Sequence, residues 1–262
     1  MTGEQVEVLR RQTIDMLEAA DRPLHEAATE DRAAAGIPLG RYFDHTLLKP
    51  EAQADAYEAL CNEAITAEAF SVCVPPDRVF LAHSLLAGSS VAVCTVIGFP
   101  LGYHAASAQA EEVAIARDHG ATEFDMVIPI GRLKDGDVTY LYDVVRAVCL
   151  AAGKGRVKVI LETALLTEQE KVRGSVAALA AGAGMLKTST GFASAGATVE
   201  DIRLLRLIAG ESRGVKAAGG IRNYAFAREL IDAGADRLGA SATMAILAES
   251  RGETPAAGGS GY

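Results

Sequence analysis

The sequence predicts an α/β protein built as a (β/α)8 barrel, the TIM barrel architecture, preceded by a short helical extension. Three observations lead there. From Leu39 onward, eight short strand-like runs alternate with helical patterns, in units of roughly 20–35 residues, the size of βαβ repeats. Several runs are apolar on both faces, as in Val157-Lys158-Val159-Ile160-Leu161, which suits a parallel sheet covered by helices. Eight units with none left over favour a closed barrel over a doubly wound open sheet, the alternative architecture. The chain has 262 residues, 50% of them hydrophobic, ample for one such core.

Residues 1–38 form the extension. Val6, Leu9, Ile14 and Leu17 give a helical stripe that Pro23 ends, and a second short helix is expected before Gly36-Ile37-Pro38. The extension is expected to pack on the barrel or on a partner chain and carries no visible chemistry. The barrel occupies residues 39–250. Its strands are expected near Tyr42–Thr46, Ala69–Val74, Val91–Ile97, Glu123–Ile128, Val157–Glu162, Met185–Thr188, Val215–Ala217 and Arg237–Gly239, with helices between them such as Glu51–Ala67, Ala105–His119, Thr198–Ala209 and Arg222–Ala233. Residues 251–262 read as a flexible tail. Tyr262 at its tip is either inert or folds back over a site and brings a phenol to it.

An internal echo supports the repeat. Gly120-Ala121, Gly182-Ala183 and Gly234-Ala235 each precede a strand, as a glycine that stops a helix in a left-handed conformation would. The fifth residue after each glycine is Asp125, Lys187 or Gly239. If the strands share a register, these three stand at one level of the barrel.

Bulk properties exclude several classes of function. A net charge of −9 without a basic patch speaks against nucleic acid and anionic membranes as partners. The N-terminus lacks an apolar signal core, and the longest apolar run, Val91 to Leu101, is too short for a bilayer. Cys61, Cys73, Cys94 and Cys149 are scattered, without CxxC or Cys/His metal spacing. A soluble cytoplasmic protein with reduced thiols and no metal is expected.

Lys187 is the residue around which the chemistry is organised. It lies in Met185-Leu186-Lys187-Thr188-Ser189-Thr190-Gly191-Phe192. It is either an exposed strand-end lysine or one pointing into the barrel, where burial would lower its pKa and free its amine to attack a carbonyl. Thr188 and Gly191 follow as sources of a hydroxyl and of close backbone approach. Asp125 lies among apolar residues in Glu123-Phe124-Asp125-Met126, costly to bury unless paired; it caps a loop, relays a proton or anchors an ammonium. Lys216 falls one strand after Lys187. Two ammonium groups ~4 Å apart at an effective dielectric of ~20 repel by about 4 kcal/mol, or roughly three pKa units, enough to activate one of them. Gly219-Gly220 and Gly239-Ala240-Ser241 follow the seventh and eighth strands, where such barrels often bind phosphate through backbone N–H groups. Asp44-His45-Thr46 ends the first strand, with a structural or substrate-contact role expected. His83, His104 and His119 are not spaced as metal ligands.

Taken together, these segments resemble the deoxyribose-phosphate aldolase family, class I aldolases that work through a Schiff base. The resemblance rests on Asp44-His45-Thr46-Leu47-Leu48-Lys49, Val72-Cys73-Val74-Pro75, Val96-Ile97-Gly98-Phe99-Pro100-Leu101-Gly102, Glu123-Phe124-Asp125-Met126-Val127, Lys158-Val159-Ile160-Leu161-Glu162-Thr163, Lys187 to Phe192, Lys216-Ala217-Ala218-Gly219-Gly220-Ile221-Arg222 and Gly239-Ala240-Ser241. It implies reversible cleavage of 2-deoxy-D-ribose 5-phosphate to acetaldehyde and D-glyceraldehyde 3-phosphate without cofactor or metal. It implies a Schiff base on Lys187, perturbed by Lys216, with proton transfer through Asp125 and a water. Gly191, Gly219, Gly220 and Ser241 would hold the phosphate or its neighbouring hydroxyls, with Cys73 near the substrate; Thr46, Thr188 and Gly239 complete the expected substrate contacts. Some members end in a Tyr on a flexible tail, as Tyr262 does here. Two departures concern the phosphate: Phe192 stands where some members carry Lys, and Ala242 where some carry Ser. A homodimer or homotetramer is expected. The competing readings are a metal-dependent or isomerising sugar-phosphate barrel and a non-catalytic sugar-phosphate-binding regulator.

Overall fold

A computed structural model describes residues 1–25 and 37–253 of the chain. Tyr262, the tail from residue 254 onward and the second helix expected before Gly36 lie outside the described residues.

The strands close into a barrel in sequence order, all parallel. They are β1 (Phe43–Thr46), β2 (Ser71–Val74), β3 (Ala92–Ile97), β4 (Glu123–Val127), β5 (Arg156–Ile160), β6 (Met185–Lys187), β7 (Gly214–Ala218) and β8 (Arg237–Ala240). The extension supplies α1 (Gly3–Ala19). The remaining helices are α2 (Ala54–Thr66), α3 (Val79–Leu85), α4 (Ala106–Asp118), α5 (Ile130–Lys134), α6 (Val138–Ala152), α7 (Glu168–Ala180), α8 (Val199–Ala209), α9 (Tyr224–Asp232) and α10 (Thr243–Ser250).

Helix α1 starts on a capping box between Thr2 and Gln5, which satisfies two otherwise orphaned N–H groups. It buries Val6, Leu9 and Leu17, three residues of the predicted stripe, and packs on α7. Thr167 and Glu170 form a second capping box at the start of α7.

The glycine echo has a physical basis. Gly120, Gly182 and Gly234 have φ of 107°, 105° and 114°, a region that side chains avoid. After each, the alanine N–H bonds back across the helix end: Ala121 to Ala116 O at 3.0 Å, Ala183 to Ala178 O at 3.1 Å and Ala235 to Leu230 O at 3.0 Å. These are Schellman closures, and each releases the chain into the next strand in the same phase.

Strand alternation then sorts the side chains. Phe43, Val72, Phe124, Met126, Val157, Val159, Leu186, Val215 and Leu238 are fully buried in the main apolar core beneath the helices. The other face of the same strands turns Asp44, Glu123, Asp125, Lys158, Lys187, Lys216 and Arg237 inward, and all seven are buried. The barrel is therefore oily outside its wall and ionic within it. His45 goes the other way: its Nε2 lies 2.7 Å from Glu63 on α2, so it braces a helix and takes no part in the interior.

Candidate active site

The site is built from β4, β6 and β7 outward. Lys187 and Lys216 are register partners on β6 and β7. Lys187 Nζ donates to Asp125 Oδ2 at 2.8 Å, and Lys216 Nζ donates to the same oxygen at 2.7 Å. The three residues singled out in the sequence thus meet at one carboxylate oxygen. Lys216 also donates to Asp44, which in turn accepts from Arg237 Nη1 at 2.5 Å.

Lys158 is the member that the sequence did not reveal. It sits between Val157 and Val159 in a strand that reads as apolar throughout, yet it is fully buried in the interior. Its Nζ lies 2.9 Å from Asp125 Oδ1, 2.6 Å from Glu123 and 3.3 Å from Asp44. A lone lysine inside a Val/Ile run was the available signal, since an ammonium cannot share the oily face. Glu123 and Arg237 were missed as well; each opens a strand, where a charge is ordinary.

These pairings correct one expectation. Lys216 was expected to act on Lys187 as a bare like charge. Instead Asp125 stands between them and screens that repulsion. Burial alone would depress the Lys216 ammonium, but Asp125 and Asp44 outweigh it and raise its pKa above the ordinary lysine value. Burial would likewise raise the Asp125 carboxyl, but the ammoniums of Lys158, Lys187 and Lys216 hold it well below the usual carboxylate range. Asp44 and Glu123 are lowered in the same way against their own burial, Asp44 chiefly by Arg237 and Glu123 chiefly by Lys158.

Cys73 and Cys94, remote in sequence, are register partners on β2 and β3. Their sulfurs and an Asp125 oxygen lie within 4.8 Å of one another. The Cys94 thiol donates to Asp125 Oδ1 at 3.2 Å, and Lys158 Nζ donates to Cys94 Sγ at 3.2 Å. Ammonium already neutralises this group of donors. Cys73 belongs to a small apolar cluster with Leu48, Cys94 and Val96, against which Phe99 packs.

At the C-terminal ends of the strands, a cavity of about 220 Å3 is lined by Gly191, Gly196, Gly219, Gly220, Arg222, Gly239 and Ser241, among others. Proximity requires two of its glycines, Gly196 and Gly219. A Cβ on Gly196 would lie 2.2 Å from Gly219 O, and one on Gly219 would lie 3.0 Å from Gly196 Cα. Gly239 is inward-facing: a Cβ there would lie 3.1 Å from Lys216 Cε, so the missing side chain makes room for that lysine. The N-cap of α10, Ala242, which follows Ser241, supplies no side-chain hydrogen bond to the helix start. Exposed Arg222 adds a cation to the lining. The structure thus gathers Gly191, Gly219, Gly220, Gly239 and Ser241 as the sequence suggested, and adds Gly196 and Arg222.

Thr46 and Thr188 turn to the scaffold. The Thr46 hydroxyl donates to Asp44 O at 2.8 Å. The Thr188 hydroxyl donates to Ala218 O at 3.3 Å and accepts from Ala218 N at 3.1 Å, which locks β6 to β7 beside the two lysines. Phe192 is half-exposed at the mouth, edge-on to Phe99 with ring centroids 5.2 Å apart.

A buried primary amine held by a carboxylate, at the C-terminal mouth of a parallel barrel and beside a glycine-lined cradle, is the apparatus of a lysine-dependent lyase. The profile of the DeoC/LacD family aldolases matches residues 40–252, and the chain belongs to that family. It is 48% identical over 211 residues to the deoxyribose-phosphate aldolase of Streptococcus mutans, covering 80% of this chain and 96% of that one. It is 52% identical over 209 residues to that of Clostridium perfringens, covering 79% and 93%. Among solved structures, a Coccidioides immitis protein superposes with a TM-score of 0.82 at 36% identity, covering 96% of this chain and 98% of that one. The tetrameric deoxyribose phosphate aldolase of Aeropyrum pernix superposes with a TM-score of 0.77 at 30% identity, covering 84% and 94%.

Proposed function

We propose that the chain catalyses reversible retro-aldol cleavage of 2-deoxy-D-ribose 5-phosphate through a Schiff base on Lys187. The observation that carries this reading is the position of Lys187: 3% exposed, with its amine on Asp125, at the strand ends that also carry the glycine cradle. The names of the relatives point to the same substrate.

The chemistry follows from the geometry. The Lys187 amine adds to the C1 aldehyde and water leaves, giving an iminium. A base takes the proton of the C3 hydroxyl, the C2–C3 bond breaks, and its electron pair moves to C2 to form an enamine while C3 becomes the aldehyde of glyceraldehyde 3-phosphate. The enamine is protonated at C2 and hydrolysed to acetaldehyde. Asp125 is the carboxylate in contact with the reacting amine, and with a water it serves these proton transfers. The barrel lining holds four basic groups (Lys158, Lys187, Lys216, Arg237) against three carboxylates (Asp44, Glu123, Asp125), so one basic group is in excess of the carboxylates that pair with it. The cradle and Arg222 hold the phosphate. Tyr262 is a further candidate donor to C2; Tyr262→Phe is expected to slow proton exchange at the methyl group of acetaldehyde, and unchanged exchange would remove it from the mechanism.

Reduction with borohydride in the presence of acetaldehyde tests the reading. A two-carbon adduct on Lys187, absent from Lys187→Leu, is expected; label spread over surface lysines would sink it. A homodimer or homotetramer is proposed by analogy with the tetrameric Aeropyrum pernix relative, and a monomeric mass by light scattering would reject it. Among the described residues no helix is long and apolar enough to cross a membrane. A cytoplasmic location fits the free cysteines, and recovery in a membrane or secreted fraction would reject it.

A further inference from the structure

We propose that Glu162 is a positioning residue that sets the shape of the phosphate-binding loop after β6, and so tunes preference for phosphorylated substrate. The inference rests on the cradle being a phosphate site, as proposed above.

Glu162 follows β5 and adopts φ 58° and ψ 61°, a left-handed conformation that non-glycine residues rarely hold unless their surroundings demand it. The backbone around it shows what the conformation does. Leu161 N donates to Lys187 O at 3.0 Å, and the next ladder bond runs from Thr163 N to Thr188 O at 3.0 Å. The β5 side therefore advances two residues against one on the β6 side, the signature of a bulge that re-aims a side chain.

The re-aimed side chain is 3% exposed and hydrogen-bonds to Thr190. Thr190 N lies 3.4 Å from Oε1 and 3.2 Å from Oε2, and Thr190 Oγ1 donates to Oε2 at 2.5 Å. The same Thr190 hydroxyl accepts from Phe192 N at 3.0 Å. Glu162 thus fixes the chain on both sides of Gly191, which has φ 88° and lines the cradle. A Cβ on Gly219 would lie 3.4 Å from Gly191 Cα, so the two loops abut and a shift in one is felt by the other.

A buried carboxylate near an anion site opposes anion binding by its charge, so its value there must be geometric. The Oε2 oxygen accepts from an N–H and the O–H of the same residue at once, with Oε1 3.4 Å from that N–H. Both shorter bonds end on Oε2, so removing the carboxylate altogether, as in Glu162→Ala, leaves that N–H and that O–H without their acceptor. The hydroxyl of Thr190 is then free to rotate, and the bond that Phe192 N makes to it is no longer held in place.

Steady-state kinetics on Glu162→Ala, with 2-deoxyribose 5-phosphate and unphosphorylated 2-deoxyribose as paired substrates, test this. Loss of this charge-assisted hydrogen bonding predicts a fall of roughly tenfold in kcat/KM for the phosphorylated sugar, carried by KM. The unphosphorylated sugar should change less than about twofold by the same reasoning, and borohydride trapping on Lys187 should be unaffected. Thr190→Val, which removes the bridging hydroxyl at nearly constant volume, should show the same split. Parallel losses on both sugars with a lowered Tm would overturn the proposal in favour of a merely structural role, as would an unchanged ratio in both variants. A wild-type protein indifferent to the phosphate would reject the phosphate reading itself, and this inference with it; a preference retained in both variants would reject this inference alone.

Discussion

Lys187 and Lys216 stand opposite each other in the β6–β7 register and donate to the same oxygen of Asp125, at 2.8 and 2.7 Å. One carboxylate therefore keeps the two amines in fixed relation. Asp125→Asn retains the shape but leaves buried ammoniums around a neutral amide. The proposed proton-transfer role of Asp125 predicts a drop of about 10²–10⁴-fold in kcat, and breaking a buried ion pair predicts a loss of about 3–5 kcal/mol in stability. Turnover within tenfold of wild type would remove Asp125 from proton transfer.

Lys158 holds the other oxygen of Asp125, at 2.9 Å. Lys158→Met is expected to cost about 3–5 kcal/mol in urea unfolding, because Asp125 and Glu123 lose a buried counter-ion. If Lys158 orients Asp125 for catalysis, the kcat–pH profile of the variant should shift as well. A stability loss with an unmoved profile would confine Lys158 to the scaffold.

Stability should depend on pH in a direction that the interior dictates. Asp44, Asp125 and Glu123 have folded pKa values depressed below their ordinary values of 3.8 and 4.5. Their stabilisation is fully present above those ordinary values and is lost as pH falls through the depressed ones. Lys158 and Lys216 are raised above 10.5; their stabilisation is present below that value and is lost as pH climbs beyond it. Urea midpoints should therefore fall below about pH 4 and again above about pH 10.5. Equal midpoints at pH 3 and pH 7 would contradict the pairing.

Phe192 is the position where the mouth is least suited to an anion. Phe192→Lys forfeits the edge contact with Phe99, worth about 0.5–1.5 kcal/mol, and places a cation at the rim. An exposed ion pair worth about 1 kcal/mol predicts a roughly fivefold lower KM for 2-deoxyribose 5-phosphate. A KM that stays put would show that the phosphate does not approach this rim.

Gly196→Ala tests the cradle from below. Its Cβ would fall 2.2 Å from a backbone oxygen of Gly219, so the loop must move. Overpacking of this kind costs about 1–3 kcal/mol, and weaker phosphate binding should accompany it in calorimetry. Undiminished binding would place the anion elsewhere.

Much of this was legible in the sequence, and the exceptions have physical causes. Asp125, Lys187 and Lys216 were visible because a charge inside a strand conflicts with an apolar neighbourhood. Lys158 carried the same conflict, but the β-branched residues on either side hid it. Alternation shows which residues share a face; it does not show which face is lined with carboxylates. The cysteine pair was invisible because strand register, and not spacing along the chain, makes neighbours of Cys73 and Cys94. Gly196 and the left-handed Glu162 belong to connections whose course depends on neighbouring loops, and His45 faces outward because it alternates with the inward Asp44, meeting Glu63 of α2 there. Tyr262 lies beyond the described residues, so the sequence alone speaks for it.

The ionic lining of the barrel also limits how the protein can diverge. In an oily core one residue drifts alone, because a neighbouring methyl group can shift to fill the gap. Here Asp44 is shared by Lys216, Lys158 and Arg237, so a change at any one of them strands a partner. Descendants of this sequence should alter these positions in concert or leave them untouched, and attempts at directed evolution should gather their accepted substitutions in the wall and the loops, with the lumen inherited as a unit.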